Sequence, residues 1–164
     1  MDVDRYCWIG LGANLGSVAA SLRAARLALR ALAHGPLVCS PLVWTAPWGR
    51  GDQPDFLNQV VGLQPRFDPD GMLVHLQAIE RAHGRQREEP WGPRTLDLDL
   101  LSWPVPVVTG PSLVLPHPHL HLRRFVLAPW AAVAPELVLP GLGSVAALLA
   151  ACPDGGALRW CSSL

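Results

Sequence analysis

Asp97 and Asp99 stand two residues apart in the stretch WGPRTLDLDLL, residues 91–101. Residues at that spacing in a strand project from one face. The two carboxylates therefore point the same way, while Leu96, Leu98 and Leu100 point the other way, into a core. Two anions one strand repeat apart repel each other unless a cation offsets them. Magnesium is the natural candidate, because it takes hard oxygen ligands and keeps substrate phosphates in its shell. The competing reading is an exposed strand face with ordinary alternation. The neighbours favour chemistry: Arg85, Arg87 and Arg94 closely precede the acids. Arginines and a divalent cation beside two acids are parts that phosphoryl transfer uses.

Other residues narrow that chemistry. All thirteen basic residues are arginine, and the chain has no lysine. A Walker loop ending in Gly-Lys-Ser/Thr and the strand lysine of protein kinases are both excluded. GLGANLG (10–16) is close to the dinucleotide-binding glycine pattern but one residue too long. No Asp or Glu occurs between Arg5 and Gly51 to meet a ribose,. Its glycines fit a tight turn and close backbone approach instead. HPHLH (117–121) offers three alternate histidines, but Pro116 and Pro118 make a regular strand doubtful. It reads as a transition-metal cluster, as a single nucleotide-contacting histidine, or as surface histidines. Phe56 and Asn58 share one strand face, and a ring beside an amide suits a flat heterocycle.

The bulk composition bounds the rest. The chain has 164 residues, enough for one domain with a real core, expected over 1–164,. Half the residues are hydrophobic and 16% are charged, which argues against disorder,. Thirteen acids balance thirteen bases, without the basic excess of a general nucleic-acid binder,. No apolar run is long enough for a membrane span, and the acidic N-terminus does not read as a signal peptide. The four cysteines, Cys7, Cys39, Cys152 and Cys161, are widely spaced and read as reduced thiols,. A cytoplasmic protein, without nucleic-acid or membrane partners, is expected.

Elements must position these groups. Residues 5–13 predict a buried strand. Val18, Leu22, Ala25, Leu29 and Leu32 mark the inner face of a helix over 17–33, with Arg23, Arg26 and Arg30 on its solvated side. A second strand is expected over 37–46, with Pro41 marking an edge or bulge. After a Gly- and Pro-rich loop comes a third strand over 56–66, then a helix over about 69–83 capped by Asp68-Pro69. The acid strand follows, then a Pro-rich segment (104–118), helices near 121–134 and 144–151, and a last strand at ALRW. The order strand-helix-strand-strand-helix-strand predicts an α+β fold. It is a ferredoxin-like sandwich with an antiparallel sheet and helices packed on it. One sheet face is left for function or for the C-terminal segment.

The blocks GLGANLG, GDQPDFLNQV, IERAHGRQR, WGPRTLDLDLL and LPHPHLHLRRFVLAPWAAVAPE occur in that order. In them the chain resembles the 6-hydroxymethyl-7,8-dihydropterin pyrophosphokinases of folate biosynthesis. The resemblance implies a monomeric transferase that moves pyrophosphate from ATP to the dihydropterin hydroxymethyl group and releases AMP. It implies two magnesium ions on Asp97 and Asp99, and catalytic roles for these acids with Arg85 and Arg94. Gln77, Glu80, Arg85, Arg87, Trp91, Arg94, Leu100, His117 and Arg123 would meet ATP. The pterin would lie between Phe56 and Phe125, read by Asn58 and by Thr45, Ala46, Pro47 and Trp48, with Trp91 as a lid and Asp97 beside it. Pro90, Ser112 and Pro118 depart from the family's usual residues. A metal-dependent phosphohydrolase and a non-catalytic ferredoxin-like binding module are the alternative readings.

Overall fold

The computed structural model describes residues 2–47, 51–84, 93–104 and 108–161. A 3-10 turn, Val3–Arg5, leads into strand β1, Cys7–Ala13. Helix α1, Val18–Ala31, follows, and Leu22, Ala25, Leu29 and Leu32 are buried as the periodicity requires. Arg23 and Arg30 are exposed, whereas Arg26 is half-buried and hydrogen-bonds Cys39.

The expected second strand is two short ones, β2 (Val38–Cys39) and β3 (Leu42–Thr45). Pro41 has no N–H to extend a ladder, so the pairing breaks there. The Ser40 hydroxyl accepts the Val60 N–H at 2.9 Å and keeps that donor satisfied across the break. Both pieces lie on strand β4, Phe56–Leu63. Helix α2, Pro69–Ala82, begins at Asp68, whose carboxylate accepts the Gly71 N–H at 2.8 Å,. Strand β5, Asp97–Ser102, carries the acids.

Beyond β5 the Pro-rich segment contains a hairpin that periodicity did not reveal, β6 (Val108–Thr109) with β7 (Val114–Leu115). A 3-10 turn at Leu120–Leu122 delays the third helix, so α3 runs Arg124–Ala131 rather than from 121. A second small hairpin, β8 (Val138–Leu139) with β9 (Gly143–Ser144), precedes α4, Val145–Ala151. Strand β10, Leu158–Cys161, closes the chain against β3.

The sheet order is β10-β3-β4-β1-β5, with β2 also on β4, and its pairs are antiparallel. Strand β1 thus lies between β4 and the acid strand β5, as a ferredoxin-like sheet requires. Two cores separate on the two faces. Under α1 and α2 lie Ile9, Leu11, Leu22, Leu29, Leu76 and Leu98. On the other face Trp8, Val60, Leu101 and Trp130 pack beneath α3 and α4. The C-terminal helices therefore take part of the face left open by the first two, and the functional groups share the remainder.

Gly62 permits that second core. A Cβ there would lie 2.8 Å from the Trp8 ring, and that ring is fixed against Trp130 at a centroid distance of 5.6 Å. Gly62→Ala should therefore destabilise the fold by about 1–3 kcal/mol, the usual range for overpacking a close-packed site. Urea denaturation checks this, and an unchanged midpoint would mean that the indole moves at no cost.

Candidate active site

The repulsion between Asp97 and Asp99 is met by two arginines, each from a different direction. Arg94 donates from Nη1 to Asp97, one helical turn's worth of sequence before it. Arg123, at the start of α3, donates from Nη1 to Asp99 at 2.7 Å. Both acids are part-buried on the sheet face shared with α3, and Leu96, Leu98 and Leu100 are buried on the other side as expected. Charge-assisted bonds of this kind are stronger than neutral ones and fix the carboxylate planes.

Opposite the acids the sheet is bare. Gly12 pairs with Asp97 and Gly10 with Asp99 across β1 and β5. A Cβ at Gly12 would sit 3.2 Å from the Asn58 Oδ1 atom. These two glycines open the floor of a cavity lined by Thr45, Ala46, Phe56, Asn58, Arg123 and Phe125, with Arg94, Asp97 and Asp99 along its rim. The Asn58 amide is held from behind. Its Nδ2 donates to the Thr45 hydroxyl at 2.9 Å and reaches the Phe56 carbonyl at 3.3 Å. That turns Oδ1 toward Gly12, as an acceptor for a ring N–H. Pro47 follows Ala46 without lining this cavity.

A second cavity lies across β5. Gln77, Glu80, Leu100, His117, Ser112 and Pro118 are among its walls, and Asp99 lines both cavities. Asp99 thus stands where the two spaces meet, with Asp97 on the rim of the first. Trp48, Arg85, Arg87, Pro90 and Trp91 lie outside the described residues. Glu80 is buried, with its Oε1 accepting the Leu98 N–H at 2.7 Å. The three histidines do not converge. His117 is part-buried beside Arg123, while His119 and His121 are exposed. Among the described residues, no group of three or more His, Cys, Asp or Glu gathers to hold a metal. The donors available for one are the two aspartates. Two hard carboxylates and an open cavity suit magnesium, which fills its remaining positions with water and phosphate oxygens.

Asn14 is a residue that the sequence reading absorbed into a glycine turn. It is buried, and its Oδ1 accepts the Arg94 N–H at 2.8 Å. Its Nδ2 donates to Gln53 Oε1 at 3.0 Å and to the Pro54 carbonyl at 2.9 Å. The backbone N–H groups of Asn14 and Leu15 both donate to the Arg94 carbonyl. One side chain therefore ties the turn after β1, the loop before β4 and the arginine that grips Asp97. Its signal was a lone amide between strand glycine Gly12 and turn glycine Gly16; only the tertiary contacts give it a partner.

With this geometry, comparison with known proteins is specific. The family model for 7,8-dihydro-6-hydroxymethylpterin-pyrophosphokinase matches residues 8–135. The chain belongs to this family. It is 43% identical over 153 residues to the 2-amino-4-hydroxy-6-hydroxymethyldihydropteridine pyrophosphokinase of Pseudomonas aeruginosa, covering 93% of this chain and 94% of that one. It is 42% identical over 135 residues to the enzyme of the same name from Methylorubrum extorquens, covering 82% and 85%. Among solved structures, the Plasmodium falciparum HPPK-DHPS triple mutant with pteroate superposes with a TM-score of 0.69 at 14% identity. That match covers 88% of this chain and 42% of the longer one, and it shows the shared fold. The matched span of this pyrophosphokinase family member runs from β1 through α3 and contains both cavities. Among the described residues no helix is long and apolar enough to cross a membrane.

Two predictions follow from the contacts. Asn14→Ala strands buried partners in two loops and should lower stability by about 1–3 kcal/mol. It should also lower turnover by loosening Arg94, which denaturation and steady-state kinetics would show together. His117 is pushed down from its ordinary value of 6.5 to about 4, first by burial and then by the Arg123 charge. The folded state thus resists a proton that the unfolded chain accepts, so the contribution of His117 to stability is complete above about pH 6.5 and is lost as pH drops toward 4,. An NMR titration should place the His117 midpoint near 4, and a midpoint above 6 would contradict the burial.

Proposed function

We propose that the chain transfers the terminal pyrophosphoryl unit of ATP to the hydroxymethyl group of 6-hydroxymethyl-7,8-dihydropterin, in folate biosynthesis. The products are the dihydropterin diphosphate and AMP. The observation that carries the reading is the placement of Asp99 at the junction of two cavities of different character, with Asp97 beside it on the rim of the first. One is an aromatic slot with a fixed amide, suited to a pterin. The other, beyond Asp99, is lined by Gln77, Leu100 and His117 and suits a nucleotide.

The reaction forms a bond between the hydroxymethyl oxygen and the β-phosphorus, and breaks the bond from that phosphorus to the oxygen that leaves with AMP. The chain's part is to bring those atoms together and to hold charge around them. Phe56 and Phe125 would sandwich the pterin ring, with Asn58 Oδ1 accepting one of its N–H groups. Thr45 sets that amide's orientation and Ala46 continues the wall, and Pro47 and Trp48 would add to the pterin contacts. Gln77, Leu100 and His117 would contact the nucleotide, with His117 neutral at working pH. Asp97 and Asp99 would hold two magnesium ions, which supply charge neutralisation at the phosphates flanking the attacked phosphorus. Arg94 and Arg123, which grip these same acids, are within reach to turn to phosphate oxygens. Arg85 and Arg87 would add to them, and Trp91 would cover the pterin. Excluding water in this way prevents hydrolysis of ATP. The whole chain, 1–164, would act as one monomeric cytoplasmic domain.

The test is incubation with ATP, magnesium and the reduced pterin, followed by phosphorus NMR. AMP and dihydropterin diphosphate should appear together. Phosphate released without pterin would mean a phosphohydrolase, and indifference to magnesium would mean a binding module. Asp97→Ala and Asp99→Ala should each reduce transfer by on the order of a thousandfold or more, the several kcal/mol that metal stabilisation supplies. Both variants should still melt cooperatively, because each change relieves a repulsion. Near-normal transfer in either would remove the metal assignment.

A further inference from the structure

Met72, Leu76 and Glu80 recur every fourth residue on α2, and all three are buried. Glu80 thus occupies a core position in a stripe that faces the sheet. A buried carboxylate is tolerated only with strong partners. Its Oε1 accepts the Leu98 N–H at 2.7 Å. Leu98 is the residue between Asp97 and Asp99, and β5 is the terminal strand of the sheet. In an antiparallel edge strand alternate N–H groups point away from the neighbour and lack a ladder partner. At Leu98 a side chain from α2 takes the place of the missing strand.

We propose that Glu80 is a positioning residue for the acid pair, acting through the Leu98 peptide rather than as a nucleotide contact. The peptide it holds joins the two aspartates, so its anchorage sets their spacing and their direction toward the cavity. The arginines orient the carboxylates from in front, and Glu80 fixes the backbone behind them. Outer partners of this kind typically alter metal affinity by about 10–100-fold when removed. The inference rests on the reading of Asp97 and Asp99 as metal ligands.

Three substitutions separate reach from charge. Glu80→Gln keeps an acceptor oxygen at the same reach without charge. Glu80→Asp keeps the charge and loses one methylene of reach. Glu80→Ala removes both. Two measurements apply to each full-length variant: amide hydrogen exchange at Leu98 without ligand, and Mn²⁺ binding by EPR with α,β-methylene-ATP present. Glu80→Gln should stay within about twofold of the parent in both, whereas Glu80→Asp and Glu80→Ala should speed Leu98 exchange and weaken Mn²⁺ binding by about tenfold or more. Should the alanine variant not fold, the aspartate and glutamine variants decide the matter alone. The proposal is overturned if Glu80→Asp matches the parent while Glu80→Gln is defective, since charge and not the hydrogen bond would then be what counts. It is also overturned if Leu98 exchange is unchanged by loss of reach. A parent protein that binds Mn²⁺ but forms no dihydropterin diphosphate would refute the reaction and leave the positioning role standing. A parent that binds no Mn²⁺ while Leu98 exchange follows reach would refute the metal assignment and, with it, the positioning of metal ligands.

Discussion

The placement of two carboxylates on one face of an edge strand, matched by two arginines, is the constraint around which this site is built. The strand's other face is leucine and buried, so β5 cannot turn away to relieve the repulsion. The offset has to come from groups delivered to the acids. Arg94 arrives from the segment just before the strand, and Arg123 from the entrance of α3 on the far side. A metal bound to phosphate can replace such guanidinium partners, because it is the denser positive charge. The arginines would then be left beside the same phosphates. On the proposed reading, the pairing would keep the catalytic parts adjacent before substrates bind, beyond any contribution to stability.

Holding this arrangement needs a sheet with two different faces. Helices α1 and α2 cover one over β1, β4 and β5. On the other, α3 and α4 pack on Trp8 and Trp130 at one end, while Gly10 and Gly12 leave the end near the acids uncovered. Helix α3 and its N-cap supply Phe125 and Arg123 to the cavity and Trp130 to the core, so packing and site geometry are coupled within eight residues. Asn14 couples two further loops to Arg94. A ligand that orders either loop would thereby press on the arginine that grips Asp97.

Much of this was legible in the residues. The α1 stripe, the Asp68 cap, an irregularity at Pro41 and the outward pair of acids each rest on local spacing or on a residue with one conformational habit, although Pro41 splits the strand rather than bulging it. Phe56 and Asn58 could be placed on one face for the same reason. What escaped depended on distant contacts. The β6–β7 hairpin has two-residue strands within a Pro-rich run, too short for any period to register. The same run hides the 3-10 turn that delays α3. Asn14 and Glu80 are polar residues with partners many residues away, at Arg94 and Leu98, and for Glu80 the sequence suggested only a nucleotide contact. A glutamate in a helix that otherwise buries Met72 and Leu76 was the available clue, since charge in a core stripe demands a reason.

The most direct test of the account is a crystal structure of the chain with magnesium, α,β-methylene-ATP and the dihydropterin. Metal should be bound to oxygens of both Asp97 and Asp99 at about 2.1 Å, the usual magnesium distance. The pterin should lie between Phe56 and Phe125, with Arg94 moved from Asp97 onto a phosphate. Metal bound elsewhere, with both arginine–aspartate pairs intact beneath the bound nucleotide, would contradict it.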